Sequence, residues 1–99
     1  MILNKVDEQI EAGEANFEEQ QIALREALRY PGIWDAGNVS KFIDVFHKIC
    51  KRYSSVSERK MTLRGTWNLF EELRTEQLFK RVTLASEQEI VRILNQNPQ

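Results

Sequence analysis

Ninety-nine residues make one domain at most, and a formal net charge of −1 with a pI near 5.9 falls well short of the basic profile usual for nucleic-acid-binding domains. With 41% hydrophobic and 29% charged residues, the chain carries enough apolar side chains for one modest core and too many to be disordered. A single cysteine excludes an internal disulfide, and no run approaches the ~20 apolar residues of a membrane span, so a single cytoplasmic domain over 1–99, not associated with membrane, is expected.

The opening residues Met1 to Glu8 have no basic stretch and no long apolar run, so they do not read as a signal peptide. Leu3, Val6 and Ile10 are spaced i, i+3, i+7, which predicts a short first helix with Asn4 as its N-cap and Gly13 as its stop. Short isolated helices are marginal, so the segment 1–13 is expected to dock loosely on the core or to fray. Asn16 followed by Glu19 resembles a capping box. Phe17, Leu24, Ala27 and Leu28 then mark one apolar face up to Tyr30, where Pro31 stops the helix. Tyr30 to Asn38, holding Pro31, Gly32 and Gly37, is the one clear loop.

The strongest periodicity follows. Phe42, Phe46, Ile49, Cys50 and Tyr53 recur at i, i+4, i+7, i+8 and i+11, which predicts a helix over Val39 to Tyr53 with one apolar stripe, capped by Asn38 or Ser40. The run Ser54-Ser55-Val56-Ser57 breaks it, because hydroxyl side chains compete for backbone hydrogen bonds. Ser57 is placed to cap a further helix carrying Met61, Leu63, Trp67, Phe70 and Leu73; Gly65 costs it ~1 kcal/mol relative to alanine and is a point where it can split. Thr75 caps a short turn with Leu78, Phe79 and Val82. Ser86 with Glu89 forms a second capping box ahead of Ile90, Ile93 and Leu94, and 95–99 is read as a flexible tail. No segment alternates with period two. The fold class is therefore all-α, a small irregular bundle of five or six short helices. Its expected core is Phe17, Leu24, Leu28, Phe42, Phe46, Ile49, Cys50, Leu69, Phe70, Leu73, Leu78, Ile90 and Leu94, joined by Trp67.

Charge is distributed unevenly along this pattern. The segment 48–64 holds Lys48, Lys51, Arg52, Arg59, Lys60 and Arg64 against Glu58 alone. The first thirty residues hold Lys5, Arg25 and Arg29 against Asp7, Glu8, Glu11, Glu14, Glu18, Glu19 and Glu26. Those six cations can neutralise phosphates, and Tyr53 and Trp67 can stack on unpaired bases. The plainer account is that they face water or pair with the acidic third of the same chain. Small helical immunity proteins, antitoxins and phage-borne regulators are similar in size and bipolar charge, but no motif residue is shared with them.

Thr75 to Leu94 has helix-turn-helix length, yet the start of its second helix reads Ser86-Glu87-Gln88-Glu89. Carboxylates aimed at a phosphate-lined groove oppose that use, whereas the same acids suit a helix N-terminus. His47 and Cys50 lie three residues apart on one helix face, but a structural zinc site needs four ligands and the chain offers no further histidine or cysteine. The pair also lacks the across-a-cleft arrangement of a cysteine nucleophile and its base. No phosphate loop, nucleophile elbow or metal-protease motif occurs. The expectations are therefore no enzyme activity, no catalytic residue, no metal and no cofactor.

The loop Tyr30 to Asn38 concentrates large apolar side chains between glycines; tyrosine and tryptophan are frequent interface hot spots, and they are also the usual plugs that close a small helical core, the plainer account of this loop. The sequence thus favours a small non-enzymatic binding module or regulator that docks a protein partner through Tyr30, Trp34 and Asp35. A nucleic-acid-binding role for Lys48, Lys51, Arg52, Arg59, Lys60 and Arg64 is the alternative. The self-complementary charge also permits a homodimer.

Overall fold

The computed structural model describes residues 2–14, 16–77 and 84–96. Among them are five α-helices and one 3₁₀ turn, and no strand. The helices are α1 (Ile2–Glu11), α2 (Phe17–Ala27), α3 (Ala36–Tyr53), α4 (Ser57–Gln77) and α5 (Leu84–Asn95); the 3₁₀ turn, Pro31–Trp34, joins α2 to α3. The all-α expectation holds.

The local punctuation explains most boundaries. Gly13 takes φ 80°, a left-handed conformation open to glycine at little cost. It lets the Gly13 amide donate to Ile10 O (3.0 Å) and the Glu14 amide to Gln9 O (2.9 Å), so the last carbonyls of α1 are satisfied. The Asn16 side chain accepts from the Glu19 amide at 3.4 Å and caps α2 as expected.

Five other expected caps are corrected. Asn4 lies inside α1, Thr75 inside α4 and Ser86 inside α5, and Ser57 is the first residue of α4, with the Lys60 amide donating to Val56 O at 2.9 Å. The Thr75 hydroxyl instead donates back to Glu71 O at 2.9 Å. The helix α3 starts at Ala36, ahead of both Asn38 and Ser40, with Asp35 in the cap position. Asn38 donates to Gly32 O at 2.7 Å and pins the 3₁₀ turn instead. Likewise α2 ends at Ala27, short of Tyr30, and Gly65 does not split α4, which runs unbroken for 21 residues.

The hub is α3, which packs against α1, α2, the 3₁₀ turn, α4 and α5. This explains why its buried arc exceeds the single stripe expected: Val39, Ile43 and Val45 are buried as well as Phe42, Phe46, Ile49, Cys50 and Tyr53. Around it runs an aromatic chain in which Trp34 stacks on Phe70 (5.8 Å), Phe70 on Phe42 (4.9 Å), and Trp67 meets both Phe46 (5.3 Å) and Phe70 (4.9 Å). The expected core residues are buried except Leu69 and Leu73, which are half-buried, and Leu78, which lies outside the described residues together with Phe79 and Val82. The 95–99 tail is likewise described only to Gln96. The first helix docks on the core through Leu3 and Val6, both buried.

Candidate functional site

Separate helices carry the two halves of the basic segment; Arg52 of α3 and Arg59 of α4 meet over the Tyr53 ring, at 5.8 and 5.2 Å, while Lys48 and Arg64 engage separate groups. Lys48 lies 2.9 Å from Asp7 and 2.9 Å from Glu11 on α1, and Lys41 lies 2.6 Å from Asp7. Asp44, one turn away on α3, adds a contact to Lys48 at 3.6 Å. Hydrogen bonds from Lys41 and then Lys48 hold the Asp7 carboxyl below the usual carboxylate range, and those from Lys48 to Asp7 and Glu11 push the Lys48 ammonium pKa up. Arg52 donates to Gly13 O at 2.8 Å. Arg59 sits over the rings of Phe17 (5.4 Å) and Tyr53 (5.2 Å). Arg64 donates to Asn95 at 2.9 Å, and Lys60 is buried. Lys51 remains exposed, with no hydrogen bond or ion pair to another described residue.

The Tyr30–Asp35 corner is built differently. Tyr30 is 58% exposed and borders a groove of about 260 Å³ whose other walls are Ile2, Glu26, Ala27 and Ile33. Gly32 lies between Tyr30 and Asp35: a Cβ there would stand 3.4 Å from Tyr30 Cε2 and 3.8 Å from an Asp35 carboxylate oxygen. Both side chains therefore converge on one exposed turn. Trp34 does not join them at the surface. It is half-buried, with its ring stacked on Phe70, and acts as the plug beneath the turn.

Other side chains were not legible as surface or site features. Ile22, Val56 and Met61 are exposed, Met61 by 73%. The exposure of Ile22 and Met61 follows from which arc of α2 and α4 the core takes, Val56 stands in the bend ahead of α4, and no short motif announces any of the three. Buried polar contacts join residues far apart in the sequence: Gln20 accepts from the Tyr53 hydroxyl at 3.0 Å, and Gln21 donates to the Thr66 hydroxyl at 3.1 Å. Arg74 grips Glu87 with two hydrogen bonds of 2.9 and 3.0 Å, which raise its pKa. Glu87, a carboxylate that argued against groove reading by α5, is thus taken up by α4, and Glu89 pairs with Arg92 at 2.6 Å.

Cys50 is buried, and desolvation pushes its thiol up to about 12, far from a nucleophile's range. His47 Nε2 and Trp67 Nε1 are buried without a hydrogen-bond partner among the described residues. No group of three or more His, Cys, Asp or Glu side chains among those residues is placed to hold a metal ion. No described helix is long and apolar enough to cross a membrane. No family model, curated protein or solved structure matches this chain.

Proposed function

We propose that this protein is a non-enzymatic binding module that docks a protein partner at the Tyr30–Asp35 corner. The observation that supports it is the mostly exposed Tyr30 ring beside a groove floored by Ile2, Ala27 and Ile33. An aromatic ring with an apolar body and a polar tip is well suited to an interface anchor. Glu26 at the groove and Asp35 beyond Gly32 add negative charge, so the complementary segment carries an apolar side chain followed by lysine or arginine. Trp34 serves from below, holding the turn in shape. The nucleic-acid alternative has less support, since a phosphate backbone is held by several cations on one surface. Here Lys48, Arg52, Arg59 and Arg64 each engage groups of their own chain, and Lys60 is buried.

The test is selection of binding peptides from a displayed random library, followed by mapping of the enriched peptides on isotope-labelled protein. Amide shifts should centre on Ile2, Ala27, Tyr30 and Ile33, and Tyr30→Ala should weaken binding by about tenfold or more. Enriched peptides that map elsewhere, or that bind Tyr30→Ala unchanged, would refute the reading.

A further inference from the structure

A second cleft, of about 230 Å³, opens between α4 and α5, and Trp67 forms its buried wall. The indole is 3% exposed and lies against Phe46 (5.3 Å) and Phe70 (4.9 Å) on the core side. Its Nε1–H is sealed from water and meets no acceptor among the described residues. Phenyl rings offer no lone pair. The polar side chains beside the indole, Asn68, Glu71 and Asn95, stand at the cleft, and none accepts from it. A buried donor left without an acceptor is costly and rare in native structures. Arg64 stands exposed at the mouth of the same cleft. It donates to Asn95 Oδ1 at 2.9 Å, and no ion pair among the described residues uses it.

We propose that this cleft binds a short aliphatic monocarboxylate. One carboxylate oxygen accepts from Trp67 Nε1 and the other from Arg64, whose guanidinium keeps further N–H donors beyond the one given to Asn95. The hydrocarbon lies on Val91 and Leu94, the apolar side that α5 contributes. A carboxylate suits this pair better than a neutral carbonyl, because it supplies the missing acceptor and the missing counter-charge together. Glu71 sets what the far end takes. It stands two turns from Arg64 on α4, about 10 Å along the axis, and its charge is met only at 4.0 Å by Arg74. It therefore repels a second carboxylate, and a dicarboxylate of similar length is disfavoured. The indole N–H is reached as side chains at the mouth turn aside, and Arg64, Asn68 and Asn95 are all exposed. The cleft is smaller than the ~300–1,000 Å³ of a drug-sized pocket, so its occupant is small and binds in the millimolar range. It shares no lining residue with the Tyr30 groove and is independent of docking there.

The indole resonances test this directly. The chain has two tryptophans, so the Nε1–H signal of Trp34 serves as a reference for that of Trp67. Titration of isotope-labelled protein with 4-methylpentanoate, at constant pH and ionic strength, should move the Trp67 signal downfield along a saturable curve. The methyl signals of Val91 and Leu94 should follow the same curve. Arg64→Gln, a change at an exposed position, should weaken binding by about tenfold. Adipate should bind more weakly than 4-methylpentanoate, and Glu71→Gln should narrow that difference. A Trp67 signal that stays in place, or drifts without saturating, up to tens of millimolar acid overturns the proposal. So does binding that Arg64→Gln leaves at wild-type strength, or a preference for adipate.

Discussion

Two helix seams in this molecule solve the same problem in opposite ways. The α1–α3 seam is apolar beneath, with Leu3 and Val6 buried, and ionic above, where Asp7 and Glu11 meet Lys41 and Lys48. The α2–α4 seam has no ion pair between its described residues. A buried Gln21–Thr66 hydrogen bond and the lie of Arg25 over Gly65 join it, and its outer face keeps Ile22 and Met61 in water. Charges far apart in sequence pair where helices bring them together, as Lys48 of the basic segment does with Asp7 and Glu11 of the acidic first third. The α2–α4 seam closes without an ion pair, although Glu18, Arg25, Glu58 and Arg59 lie along it.

Which layer of the α1–α3 seam carries the stability is open to direct measurement. Leu3 is fully buried, so Leu3→Ala removes contacts and leaves a cavity, and should cost about 2–5 kcal/mol in chemical unfolding. A loss below about 1 kcal/mol would mean that α1 frays in solution and that its packing matters little.

The ionic layer should matter less. Its pairs are partly exposed, and Asp7→Asn should cost about 1 kcal/mol at low salt and less at high salt. The pH dependence has a fixed sign. The folded state holds the Asp7 pKa below its ordinary 3.8, so the carboxylate contribution is complete above that value and is lost as pH falls through the lower, folded value. Lys48 runs the other way: its pKa is raised, so its contribution is complete at neutral pH and is lost only in strong alkali. Wild type and Asp7→Asn should therefore differ by a constant amount near neutrality and converge in acid. An unchanged gap in acid would place the effect in packing rather than charge.

The contrast between the seams also marks what could be read from sequence. The apolar spacing of Phe42, Phe46, Ile49, Cys50 and Tyr53 announces α3, because a 3.6-residue period is a local property. The Asn16 cap and the Gly13 stop were legible for the same reason. Cap residues misled where the helix extends past them, as at Ser86 with α5 beginning at Leu84. Lys48 and Asp7 are 41 residues apart, and nothing local pairs them. The Tyr30–Asp35 turn was legible as a place of interest, but the sequence could not sort Tyr30, turned outward, from Trp34, turned in against Phe70. That choice depends on a ring contributed by a helix 36 residues further along the chain.

The smallest effect belongs to the α2–α4 seam and has the opposite sign. Gly65 lies exposed within a continuous helix, where alanine is preferred by ~1 kcal/mol. The only atom its Cβ would crowd is Arg25 Nη2 at 3.3 Å, the far end of a flexible, exposed side chain that can swing away. Gly65→Ala should therefore stabilise the protein by about 0.5 kcal/mol in chemical unfolding, the helix gain exceeding the displaced contact. A net loss would mean that the guanidinium resting on Gly65 helps to hold the seam. The seam would then owe its geometry to Arg25, and replacing Arg25 with Ala should reproduce the same loss.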